Sequence, residues 1–186
     1  YNLAADDHYE FIPVEDKDAL TSDKHGYQYL DPETLPYTEY AIHYNLAANQ
    51  NLYLNVEDGF VKGTEGANTY YELSTVNPID GKETAVNTFG YKSLNLPQLE
   101  RQAYVLKVRD TNLVDNDTTY VALVTEKGQN EYYKAMGIKD IRAGKGQLAQ
   151  FYLKADQVND GTKYYALVDV RENTYMPIVN NGARIA

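Results

Sequence analysis

The run TTYVALV, Thr118 to Val124, returns 44 residues later as TKYYALV, Thr162 to Val168. Self-similarity of this kind constrains the fold strongly. A short β-branched and aromatic strand cannot bury both of its faces alone, so its copies must pack together. The preceding stretch recurs as well, YVLKVRD at Tyr104 to Asp110 being answered by FYLKAD at Phe151 to Asp156.

The same plan is legible upstream in Tyr40 to Val76. There AIHYNL and LYLNV alternate partially, are separated by the polar turn Ala47 to Asn51, and end at Glu57-Asp58-Gly59. Phe60-Val61 reads as a short third strand and Tyr70 to Val76 as a fourth. Leu123 takes the place of Leu54, Gly128 that of Gly59, and Tyr132-Tyr133 answers Tyr70-Tyr71. A shift of 64 residues lays Gly26-Tyr27 on Gly90-Tyr91, Leu30 on Leu94, Leu35 on Leu99 and Tyr40 on Tyr104. The expectation is a single all-β domain over 1–186 with three imperfect four-strand units, 40–76, 104–141 and 151–186, separated by insertions 15–39 and 77–103. Each unit is expected to run long, long, short, long. Residues 1–14 read as a strand, a turn and a second strand stopped by Pro13. Glu131 to Met136 has some helical character, but Gly137 and the repeat favour a strand, and Ala143 to Gly146 reads as a joint.

Composition narrows the function classes. Seventeen basic against 27 acidic side chains give a net charge of −10, a field that disfavours phosphate backbones and anionic lipid surfaces. No apolar stretch approaches the roughly 20 residues needed to span a bilayer. Cysteine is absent, which removes a disulfide framework, a thiol nucleophile and every thiolate metal site. Nineteen Tyr with no Trp are expected to sit on half-buried strand faces, rings packed and hydroxyls in water. A chain opening at Tyr1 rather than Met is expected to be a mature or excised piece, and its polar, Cys-free composition suggests a secreted, periplasmic or cell-surface protein.

Three four-strand units resemble the β-trefoil family, which includes ricin-type lectin domains and fascin-like modules. The resemblance rests on Tyr40-x-Ile42, Leu52-Tyr53-Leu54, Gly59-Phe60-Val61 and Tyr71-x-Leu73, with counterparts at Tyr104, Leu106, Leu123 and Tyr133, then at Tyr152, Leu153, Leu167 and Tyr175. It spans about 110 residues. It implies a six-stranded barrel capped by three hairpins, whose closure removes exposed sheet edges. The Gln-x-Trp motif of ricin-type repeats is missing, so a lectin reading would rest on Tyr for stacking. Many short strands with regular turns equally suit a β-sandwich or an elongated array of units.

Catalytic constellations are thin. His8, His25 and His43 have no His-x-His or His-x-x-x-His spacing, and a structural role is favoured over metal ligation. Ser22, Ser74 and Ser93 lie outside any Gly-x-Ser-x-Gly turn. Asp110, Asn112, Asp115 and Asp117, and separately Glu15, Asp16 and Asp18, offer oxygen ligands for calcium, but not in the order of an EF-hand, and they read as turn residues. Gly144-Lys145-Gly146 is too short for a phosphate loop, and Asn116-Asp117-Thr118 is a lone glycosylation sequon. Paired carboxylates of a glycoside hydrolase are a tertiary property that spacing does not reveal.

The reading is therefore a non-catalytic binding module of an exported or cell-surface bacterial protein, with no cofactor and no metal, taking a glycan or a protein ligand. Function is expected in the unshared loops, 109–119 and the Gly26 and Gly90 insertions. The alternatives are a structural spacer of a larger surface protein and a carboxylate-based hydrolase.

Overall fold

A computed structural model of the chain describes residues 8–15, 30–44, 52–87, 95–109, 118–125, 131–157, 163–171 and 174–176. Among them twelve strands carry most of the regular structure: β1 (Tyr9–Pro13), β2 (Tyr40–Tyr44), β3 (Leu52–Glu57), β4 (Phe60–Glu65), β5 (Tyr70–Ser74), β6 (Val105–Arg109), β7 (Thr119–Thr125), β8 (Glu131–Gly137), β9 (Gln147–Leu148), β10 (Phe151–Gln157), β11 (Lys163–Asp169) and β12 (Thr174–Tyr175). Among the described residues helix is confined to single turns at Leu35–Tyr37, Gln98–Arg101 and Ile138–Arg142. No helix among the described residues is long and apolar enough to cross a membrane.

All twelve strands belong to one sheet, not to the two face-packed sheets of a sandwich. The path β2–β3–β4–β8–β7–β6–β5 returns to β2 through Tyr40 opposite Tyr71 and closes a seven-stranded barrel. A second circuit of pairings shares β2, β5 and β6 with the first. β1 pairs with β2 from Tyr9 opposite Tyr44 to Pro13 opposite Tyr40, and meets β11 where Tyr9 faces Tyr165. β11 pairs with β10 over seven residues. The step from β10 back to the entry of β6 is one bridge, in which Tyr104 and Phe151 each donate a backbone N–H to the other's carbonyl at 2.8 Å.

Pleat alternation sorts the side chains onto two faces. Tyr9 and Phe11 of β1, Tyr40 and Ile42 of β2, Leu54 of β3, Tyr71 and Leu73 of β5, and Tyr165 and Leu167 of β11 enter the main core. The opposite faces are covered too. Ile12, Ala41 and Tyr53 form one outer cluster, and Val105, Tyr120, Ala122 and Ile141 form another beneath the Ile138–Arg142 turn. Strands covered on both sides read as nearly continuous apolar runs, which is why TTYVALV and TKYYALV stand out in the sequence.

Several expectations need correction. β4 spans six residues and pairs with β3 from Leu52 opposite Glu65 to Glu57 opposite Phe60, so the third strand of this unit is not short. The hairpin is set by Asp58 and Gly59, whose φ angles of 53° and 84° suit a primed two-residue turn. The insertion 77–103 is tied down by bridges Val76 to Glu83 and Val86 to Gln102 and by the Gln98–Arg101 turn. Among the described residues the tyrosines are not predominantly half-exposed: Tyr9, Tyr53, Tyr71, Tyr104, Tyr133 and Tyr165 are all fully buried. Buried hydroxyls need partners. Tyr9 donates to the Met176 carbonyl at 2.7 Å, Tyr71 to the Leu54 carbonyl at 3.0 Å, and Tyr165 accepts from the Leu30 amide at 2.8 Å. Residues 131–137 form a strand, as the repeat required.

Candidate functional site

The described site with the most convergent polar chemistry lies where β7, β9 and the end of β11 meet. β9 lies alongside β7, with Ala122 opposite Leu148 and Leu123 opposite Gln147, and the Ala149 amide extends this contact to the Val121 carbonyl at 3.1 Å. The chain then runs through Gln150, whose carbonyl accepts the Val170 amide at 2.9 Å, so the segment 147–150 is fastened on both sides. Between them lies a cleft of about 270 Å³. Its apolar lining comes from Leu123, Leu148 and Ala149, with Ala85 and Val170, and its polar lining from Gln147, Gln150, Asp169 and Arg171.

Asp169 is the fixed point. It ends the apolar strand β11 and is buried. Its Oδ2 accepts the Tyr133 hydroxyl at 2.8 Å and its Oδ1 accepts the Arg171 amide at 2.9 Å, a side-chain turn that reverses the chain and presents Arg171. Burial first, and then the Asp169 carboxylate, hold the Tyr133 hydroxyl protonated well above the ordinary tyrosine range. Arg171 donates to the Gln147 Oε1 and lies 3.7 Å from the Glu131 carboxylate. The local charge is thus one guanidinium among two carboxylates. The Gln150 side chain accepts the Ala85 amide at 3.3 Å, linking the cleft to the insertion 77–103. At 270 Å³ the cleft lies below the roughly 300–1,000 Å³ of drug-sized sites and suits a single ring.

A second polar locus lies on the outer faces of β1, β2 and β3. Glu10 Oε1 and His43 Nδ1 approach to 3.3 Å with both residues buried, and the His43 ring stands 4.6 Å from that of Tyr53 at 46°. Burial, with smaller contributions from Glu10 and Tyr70, pushes the Tyr53 hydroxyl up to about 12. Nearby Asn55 is fully buried and organises the following loop. Its amide donates to Thr64 Oγ1 at 2.7 Å and the Gly66 carbonyl at 2.8 Å, and its carbonyl accepts the Asn68 and Thr69 amides at 3.0 and 3.2 Å.

The residues singled out from sequence fall elsewhere. His8 and His43 are buried, and Ser74 caps its own turn, its Oγ accepting the Val76 amide at 3.1 Å. Glu15 is exposed. No group of three or more His, Asp or Glu among the described residues is placed to hold a metal ion. His25, Ser22, Ser93, Asp16, Asp18, Asp110, Asn112, Asp115, Asp117 and the Gly26 and Gly90 segments lie outside the described residues. Sequence reasoning missed Gln147, Gln150, Asp169 and Arg171. One signal was available: in VDVR an acid follows directly on the five-residue apolar run Tyr164 to Val168, where a buried strand end must satisfy it.

No family model matches this chain, and neither a curated protein nor a solved structure matches it.

Proposed function

We propose that this chain is a non-catalytic binding module of an exported or surface protein, built on a β-trefoil-like scaffold, and that the cleft beside Asp169 receives one neutral sugar ring of a glycan. The cleft itself carries the reading. Planar polar groups of Gln147, Gln150, Asp169 and Arg171 face an apolar lining, which is the complement of a ring with hydroxyls on its edge and C–H groups on its face. Glu131 lies beside Arg171, so the surroundings carry no excess positive charge to favour an acidic sugar. A single carboxylate lines the cleft, and both its oxygens already accept hydrogen bonds, whereas a glycoside hydrolase works with two.

Support for the scaffold comes from the circuit β2, β5, β6, β10, β11, β1, a ring of six antiparallel strands. Between its members lie the hairpins β3–β4 and β7–β8. In this frame the first unit, β2 to β5, stands as in the sequence repeat, and the later two shift by one strand. β10 closes the unit opened by β6, and β11, β12 and β1 belong to the third.

A glycan array followed by NMR titration of the best ligand tests the reading. Binding is expected to shift the Leu148, Ala149 and Gln150 amides and to be lost in Gln147→Ala/Gln150→Ala with the fold retained. An empty array, or binding that survives this double substitution, would overturn it.

A further inference from the structure

A second cleft has the opposite electrostatic character. It measures about 340 Å³ and is lined by Thr118, Gly137, Ile138, Lys139, Asp140 and Arg142, at the junction of β7, β8 and the Ile138–Arg142 turn. We propose that it binds a tetrahedral oxyanion, a sulfate or phosphate group, through Lys139 and Arg142.

Residues 134–145 contain Lys134, Lys139, Arg142 and Lys145 against the single acid Asp140, and no other twelve-residue window of this chain holds four basic residues. Asp140 is engaged by Lys145, with Oδ1 to Nζ at 3.3 Å. Lys139 and Arg142 form no ion pair among the described residues. Arg142 is nonetheless oriented, because its Nη2 donates to the Ile79 carbonyl at 3.2 Å. That bond leaves further guanidinium N–H groups for a ligand. The Thr118 side chain, exposed at the same cleft, adds a hydroxyl.

The Ile138 amide is not available to a ligand here, because it already donates to the Thr118 carbonyl at 2.9 Å. The two cations therefore carry the recognition. The net charge of −10 does not forbid it. Charge–charge interactions at physiological salt decay over about 8 Å, so an anion in contact with two cations responds to them and not to the distant acids. An arginine fork also matches the edge of a tetrahedral oxyanion geometrically. The cleft exceeds the size of a lone oxyanion, which leaves room for a sugar bearing it as an ester.

The test is NMR titration of the whole chain with inorganic phosphate, inorganic sulfate, galactose 6-sulfate and galactose, each against sodium chloride at equal ionic strength. Saturable shifts at the Gly137 to Arg142 amides are expected with the oxyanions and not with chloride or galactose. Saturation by the inorganic ions alone assigns the site to a free oxyanion, and tighter saturation by the sugar sulfate assigns it to an esterified one. Lys139→Gln and Arg142→Gln should each weaken binding about tenfold, with circular dichroism and melting unchanged at these exposed positions. Shifts that chloride reproduces, or that persist in the double variant, would overturn the assignment. Because the Asp169 cleft is not involved, neither result depends on the glycan reading.

Discussion

Removing one oxygen from Tyr133 tests how far the Asp169 contact holds the cleft together. In Tyr133→Phe the ring remains, and with it the packing on Phe151, whose centroid lies 5.6 Å away. What is lost is the hydroxyl donor at 2.8 Å from the Asp169 carboxylate, with both residues buried. A hydrogen bond to a charged acceptor contributes about 1.5–3 kcal/mol. Asp169 keeps the Arg171 amide, so the expected loss is about 2 kcal/mol. In a chain of this size that lowers Tm by about 4–8 °C. Equilibrium urea unfolding followed by circular dichroism should show a lower midpoint at unchanged slope. In an Asp169→Asn background the bond becomes neutral, and the same Tyr133→Phe change should cost less than about 1 kcal/mol. A wild-type-background loss below about 0.5 kcal/mol, or an equal loss in both backgrounds, would refute the reasoning.

Three further outcomes follow from the geometry. Tyr53 and Tyr104, fully buried, have hydroxyls pushed up to about 12 by burial. The native state therefore keeps protons that the unfolded chain releases from about pH 10, so their stabilising contribution is complete below pH 10 and is lost as pH rises through 12. The loss is roughly 3 kcal/mol each, and a Tyr53→Phe/Tyr104→Phe variant should move the alkaline transition, followed by phenolate absorbance and circular dichroism, to higher pH. Asn55→Ala removes four hydrogen bonds of a fully buried side chain. It should cost about 3 kcal/mol, with hydrogen exchange at the Asn68 and Thr69 amides accelerating beyond the global change. Gly59→Ala places a side chain at φ of 84° and should cost about 1 kcal/mol by denaturant unfolding, since a neutral effect would mean the turn is not left-handed there.

The sheet was legible in the sequence because its strands are short and bounded by turn residues, and because the repeat enforced consistency where propensity was ambiguous. Glu131 to Gly137 is the clearest case. Its Glu, Lys, Ala and Met suit a helix, yet it lies opposite β7 for seven residues, and that pairing decides the outcome. Closure into a barrel was expected only from the family resemblance and not from any local pattern. It depends on Tyr40 meeting Tyr71 and Tyr104 meeting Phe151, single contacts between strands 31 and 47 residues apart, and no local pattern encodes a contact of that kind. The extent of β4 was missed for a different reason: Lys62 and Gly63 have weak strand character, and pairing with β3 holds them extended.

The tyrosines explain why the cleft escaped a reading based on loops. The repeat marks the shared Tyr and Leu positions as packing positions, and function is therefore expected in the loops that the units do not share. In the folded chain buried hydroxyls act as internal ties: Tyr9 fixes the backbone at Met176, Tyr71 that at Leu54, and Tyr133 the carboxylate of Asp169. The last of these differs in kind, because its partner is a charged group at the mouth of a cleft and not a backbone carbonyl. Desolvating a carboxylate is expensive, and a core needing only closure could use Leu at the end of β11. Asp169 does more than terminate the strand: it accepts the Tyr133 hydroxyl's hydrogen bond on one oxygen and reverses the chain at Arg171 with the other. A buried tie and an exposed cation are thereby coupled through one residue, which makes the orientation of Arg171 dependent on the packing of Tyr133 some 38 positions earlier in the chain.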